Sequence, residues 1–207
     1  MAEHRWICGL AAAMALGVSG VAAQEVVDQG CFDIRRGAPG CTTIQLVTST
    51  TEPGTVDLQI LGAASAGLAP LDVPGIAFYD ENSGAPPAIV EVPGGIRLQS
   101  ERSALGRFPW FESLEIVLEG DGLVVVGFGL SSYDRVAPRT FSCAVDYAVG
   151  RVRIEVRDET LTGSAAERTQ IARDSVAVGA VPLTEWMASR PWPEPCADAQ
   201  AAFTEVP

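Results

Sequence analysis

The chain has no lysine. All 14 of its basic residues are arginine, its one histidine is His4 and its one asparagine is Asn82. Each absence removes a class of chemistry. Without lysine there is no Schiff-base amine, no Ser-Lys pair and no phosphate-loop ammonium. Without a histidine beyond position 4 there is no imidazole base for a Ser-His-Asp or Cys-His system. The His ligands of catalytic zinc and of facial-triad iron are missing too. Gly-x-Ser-x-Gly and Gly-x-Gly-x-x-Gly do not occur, and Gly127-Phe128-Gly129-Leu130-Ser131 only looks similar to the former. No cofactor and no metal centre is implied, and the expectation is a protein that is not an enzyme.

What is present is ordinary globular material. The 207 residues are 47% hydrophobic and 19% charged, with a net charge of −12. That length allows one compact domain, and a chain so acidic is a poor partner for nucleic acid. Residues 1–23 read as a cleaved secretory signal. Arg5 gives a polar start, an apolar stretch follows, and Val21-Ala22-Ala23 offers small residues before Gln24. The stretch is short and interrupted by Gly9, Gly17 and Gly20, below the roughly 20 apolar residues of a membrane span. No span is expected after cleavage. Removal takes one acid, Glu3, and one base, Arg5, so the charge stays at −12. The arginine-only basic set and the short leader point to a bacterial exported protein, periplasmic or secreted.

Cleavage also removes Cys8 and leaves an even set: Cys31, Cys41, Cys143 and Cys196. An even count in an exported chain reads as two disulfides. Proximity favours Cys31–Cys41 with Cys143–Cys196. A zinc site would need all four thiolates without any Cys-x-x-Cys spacing.

The 21 glycines and 14 prolines fall in short clusters between alternating apolar runs. That pattern predicts an all-β fold, a single antiparallel β-sandwich with at most one or two short helices, and leaves jelly-roll against Ig-like topology unresolved. Eight or nine strands are expected, over residues 43–49, 56–60, 76–79, 89–92, 96–99, 113–119, 123–130, 141–147 and 151–157. The 123–130 run is so apolar that it reads as a central strand buried on both faces. Residues 62–74 read as a loop. Ser164 and Glu167 fit a helix capping box. One domain over 24–207 is expected, with a disulfide loop at 31–41 and a stiff Pro-rich strap over 182–207, loose beyond Cys196.

Four surface features are candidates for function. Trp110, Phe111 and Glu112, with Phe108 nearby and the acids Glu115, Glu119 and Asp121, could form a glycan platform. Glu115 and Glu119 are four residues apart on one strand, about 13–14 Å, too far for a glycosidase pair by themselves. Arg139, Arg151, Arg153 and Arg157 could receive an acidic partner or an anionic glycolipid, and simple cross-strand pairing is the plain alternative. Asp80, Glu81 and Asn82 could ligate calcium or make an Asx turn. Arg35-Arg36 sit in the small disulfide loop, where they could face a protease or receptor. The sequence thus predicts a non-enzymatic binding or accessory protein of the bacterial envelope with a protein partner. A carbohydrate-binding module, or a carboxylate-only glycoside hydrolase, is the alternative.

Overall fold

The computed structural model describes residues 24–34, 41–61, 69–82, 84–120, 122–165, 167–189 and 192–205. The expected leader, the Arg35-Arg36 loop tip and Asp121 lie outside the described residues.

Two antiparallel sheets pack together. The smaller contains β1 (Val26–Phe32), β2 (Thr42–Thr48), β3 (Thr55–Ile60) and β4 (Leu71–Phe78), side by side in chain order. The larger runs β5 (Ala88–Val92), β6 (Gly95–Arg102), β7 (Trp110–Glu119), β8 (Gly122–Asp134), β9 (Arg139–Asp146), β10 (Arg151–Asp158) and β11 (Thr169–Ser175), again in chain order. A two-residue strand, β12 (Val181–Pro182), returns to pair with Val125 and Val124 of β8, beyond the end of β9. Neighbours in sequence are neighbours in space, so the topology is two successive meanders. The strand pattern left the choice between jelly-roll and Ig-like topology open, and the observed order is neither of these Greek-key arrangements.

Three strands escaped the alternation pattern: β1, β11 and β12. Strand β11 is exposed at six of its seven positions and is held by its ladder to β10. Burial gives it no hydrophobic period to read. The capping-box residues Ser164 and Glu167 do bond reciprocally, side chain to backbone. They close a single turn that leads into β11, and no helix follows. Residues 69–74, expected as loop, include the start of β4, where Pro74 is tolerated because β4 is an edge strand. The ladder slips there, and Gly75 takes φ 58°. The buried Asp57 carboxylate receives the Gly75 N–H at 2.7 Å and the Gln24 side-chain amide at 3.2 Å.

One hydrophobic cluster joins both sheets, with Leu46, Leu58 and Ile60 from the small sheet and Ile96, Leu114, Phe128 and Phe141 from the large one. The small sheet reaches the large one at β5 and β6. Backbone N–H of Ile89 donates to Asp28 Oδ2 at 2.6 Å along that seam. The apolar face of β8, β9 and β10 is covered instead by α1 (Leu183–Ser189) and α2 (Glu194–Thr204). The tail is therefore helical past Cys196, where a loose end was expected. Cys196, Gln200 and Phe203 recur at helical spacing on its buried face. Phe203 meets Phe108 and Phe141, each at 5.7 Å between ring centroids. Both disulfides have the expected pairing. Cys31–Cys41 closes the β1–β2 hairpin with Cα atoms 5.3 Å apart, and Cys143–Cys196 ties α2 to β9 at 5.6 Å.

The β6–β7 connection is pinned by charge. Arg107 donates to both oxygens of Asp134, at 2.9 and 2.7 Å, and the Asp134 side chain is fully buried. Arg135 donates to the carbonyls of Ser103, Ala104 and Gly106. The Arg107 guanidinium, helped by the Val136 and Ala137 N–H groups, holds the Asp134 carboxyl well below the usual carboxylate range.

Removing Cys143–Cys196 by paired substitution to alanine frees a separation of 53 residues and should lower stability by about 4 kcal/mol on the loop-entropy model. Urea unfolding against the parent protein measures this. The lowered pKa of Asp134 also makes a pH prediction. Its stabilisation is complete above the unfolded carboxyl pKa of about 4 and fades as pH falls toward the folded value. Asp134→Asn should be less stable than the parent at neutral pH and should lose less further stability between about pH 5 and pH 2, read by thermal melts across that range.

Candidate functional site

Strand alternation divides the candidate residues between two faces. Trp110, Glu112, Leu114 and Ile116 point inward from β7; Phe111, Ser113 and Glu115 point outward. Trp110 packs edge-on between Phe78, at 5.4 Å, and Trp192, at 6.1 Å. Glu112 accepts the indole N–H of Trp192 at 2.7 Å. The expected platform of Trp110, Phe111 and Glu112 is therefore not one surface. Trp110 and Glu112 anchor the segment before α2, and Phe111 alone reaches the outer face, where it lies against Tyr133 with centroids 6.3 Å apart and planes 23° from parallel.

That outer face is hollowed. Cross-strand rows place Ser113, Gly129 and Ala144 side by side, and in the next row Phe111, Ser131 and Ser142. A third row runs Glu115, Gly127, Asp146. The middle strands thus carry small outward residues, while β6 and β10 carry Arg97, Gln99, Glu101, Arg153, Glu155 and Arg157. A floor three strands wide, about 10 Å between β7 and β9, lies between taller charged walls. Three hollows of about 560, 500 and 460 Å³ follow one another along it. The first two share Ser113 and Gly129; the second and third share Phe111, Ser131 and Ser142.

The glycines of β8 explain the depth. A Cβ on Gly129 would lie 2.6 Å from Ser113 Oγ, and one on Gly127 would lie 3.1 Å from Glu115 Oε2. Their absence lets the Ser113 and Glu115 side chains lie over β8. This also corrects the reading of 123–130 as a strand buried on both faces. The strand is central, but outward positions 127 and 129 are glycine, Val126 is only half-buried on that face, and a bulge opposite Glu115 and Ile116 shifts its phase.

Charges on this face are largely paired. Arg97 Nε donates to Glu115 at 3.0 Å. Arg153 pairs with Glu155 and Arg157 with Glu159. Arg139 does not share the patch. It points inward, its guanidinium carbon 5.0 Å from the Phe203 ring centre and its Nε 3.9 Å from Asp158. The Thr160 hydroxyl and N–H, with Arg139, hold the Asp158 carboxyl below its ordinary range. Arg173, which the sequence reading passed over, faces Arg153 directly across β10 and β11. Its signal was hidden because β11 itself was not recognised.

Glu115 and Asp146 flank Gly127, about 10 Å apart at Cα by sheet spacing, and both line the first hollow. The two are the only carboxylates brought to the same row of this floor among the described residues, but their surroundings do not fit a glycosidase pair. Such a pair needs one carboxylic acid kept protonated by an apolar setting. Glu115 is ion-paired to Arg97, and Asp146 Oδ1 accepts the Ala148 N–H at 3.0 Å in a turn. At the calcium candidate, Asp80 Oδ1 accepts the Asn82 N–H at 2.9 Å, an Asx turn, and no group of three ligating side chains occurs among the described residues.

The split of Trp110 from Phe111 is measurable. Trp110→Ala should cost about 3 kcal/mol of stability through lost packing, and Phe111→Ala only about 1, both read by urea unfolding. Comparison with protein-family models, with curated proteins and with solved structures gives no match for this chain.

Proposed function

We propose that this protein is a non-enzymatic, exported binding protein of the bacterial envelope, and that its trough holds an extended glycan. The observation that carries this reading is the near-parallel Phe111–Tyr133 pair beside a hollow of about 460 Å³. Thr140, Ser142, Glu155 and Arg157 line the same hollow. A sugar ring presents an apolar face to aromatic side chains and hydroxyls around its edge, and this hollow offers both complements. The trough continues past Ser113 and Gly129, with room for further rings. Both disulfides favour an oxidising compartment. Among the described residues no helix is long and apolar enough to cross a membrane.

Phe111→Ala and Tyr133→Ala should each weaken glycan binding by about tenfold, the worth of one good aromatic contact, while leaving the melting curve close to that of the parent. Affinity electrophoresis through gels containing candidate polysaccharides measures the first, and the same mixtures assayed for new reducing ends separate binding from cleavage. Unchanged mobility shifts in both variants would remove the trough reading.

A protein partner is the second reading, favoured by β11. This strand ends the large sheet, and Ile171 on it is 50% exposed. An open edge of this kind accepts an added strand. A native mass well above that of the monomer in a mild-detergent extract supports it, and a monomeric species removes it.

A further inference from the structure

We infer that the ligand of the trough is an acidic polysaccharide whose carboxylates are received by Arg151, Arg153 and Arg173. This rests on the glycan reading of the trough and adds the charge of the sugar. Arg153 and Arg173 are directly opposite on neighbouring strands, so their Cβ atoms are about 5 Å apart. Arg151 is two residues further along the same outward face of β10, about 7 Å away. The cluster borders the trough. Arg151 is opposite Asp146 and Arg153 opposite Ala144, and both of those residues line the first hollow.

The electrostatics of the cluster are unusual for a chain of net charge −12. Like charges directly across a sheet destabilise it. Of the three arginines only Arg153 has a described ion pair, to Glu155. Arg151 and Arg173 make no ion pair or side-chain hydrogen bond among the described residues. Asp146, opposite Arg151 on β9, accepts the Ala148 N–H. The other groups facing the cluster from β11 are Ser175 and Ile171, neither of them charged. A carboxylate placed between two guanidinium forks accepts paired N–H bonds and relieves their repulsion. Regularly repeated carboxylates along a polymer would do so while the sugar rings follow the small-residue floor toward Phe111 and Tyr133.

The test uses the oxidised full-length mature protein. Polygalacturonate, alginate and hyaluronan are offered as acidic polymers, methyl-esterified polygalacturonate as a neutral backbone, and dextran sulfate as a carboxylate-free polyanion. The proposal expects at least one acidic polymer to bind. That binding should weaken by about tenfold or more in the R151Q/R173Q double variant, and between about 50 mM and about 500 mM salt. The melting temperature of the double variant should be unchanged or higher, since a repulsive pair has been removed. A structural role for the arginines predicts the opposite. Equal binding of the esterified and acidic backbones overturns the charge assignment and leaves the trough reading standing. Binding of dextran sulfate alone overturns the carboxylate assignment. Failure of every polymer, acidic or neutral, overturns both. If R151Q/R173Q binds normally but self-associates, the arginines guard the open β11 edge and the inference falls.

Discussion

The large sheet has more apolar face than the small sheet covers, and the rest of the molecule follows from that mismatch. Burial of apolar side chains is the main favourable term in folding, so an uncovered half-sheet would be costly. The small sheet reaches β5 and β6. Phe128, Phe141, Cys143, Val145 and Val152 lie on the remaining width and are nevertheless buried. The two tail helices supply the cover, and the Cys143–Cys196 bond fixes one of them in place. Tyr147, pushed up to about 12 by burial, sits against Trp186 of α1, another sign of how closed this half of the core is.

With the inner face occupied by packing, the outer face is left to solvent. The alternation of β7 assigns Trp110 to one task and Phe111 to the other, although the two are adjacent in sequence. The small residues of the middle strands could not have been placed on the inner face without leaving voids there. On the outer face the same residues make a floor. The near-continuous apolar run of 123–130 therefore also supplies the glycine floor of the outer face.

Much of the fold was legible because half-buried strands write their faces into sequence. The alternating runs expected as strands over 113–119, 141–147 and 151–157 all proved to be strands, with Leu114, Ile116, Phe141, Cys143, Val145 and Val152 facing the core. Both disulfides followed from spacing and an even count. Strand β11 was not legible, because a strand exposed on both faces is held by backbone bonds that any residue can make. The α2 helix was hidden behind Pro193 and Pro195, which suggested an extended strap but are compatible with the first turn of a helix. Of the trough, Phe111 and the arginines of β10 were visible. The trough itself was not, since it needs the register between strands, and alternation fixes faces rather than neighbours. Arg173 and Tyr133 enter only through that register.

The position of the second disulfide within the chain also sets an order of events. Each ladder of the two meanders joins strands that follow one another, so hairpins can form as the chain is made, without long-range search. Cys31 and Cys41 are separated by ten positions and can meet early. Cys143 has no native partner until Cys196, 53 positions further on, has arrived. Until then β8–β10 are a half-built sheet with a bare apolar face and an unpaired thiol at Cys143. That interval is where thiol–disulfide exchange and aggregation compete with folding.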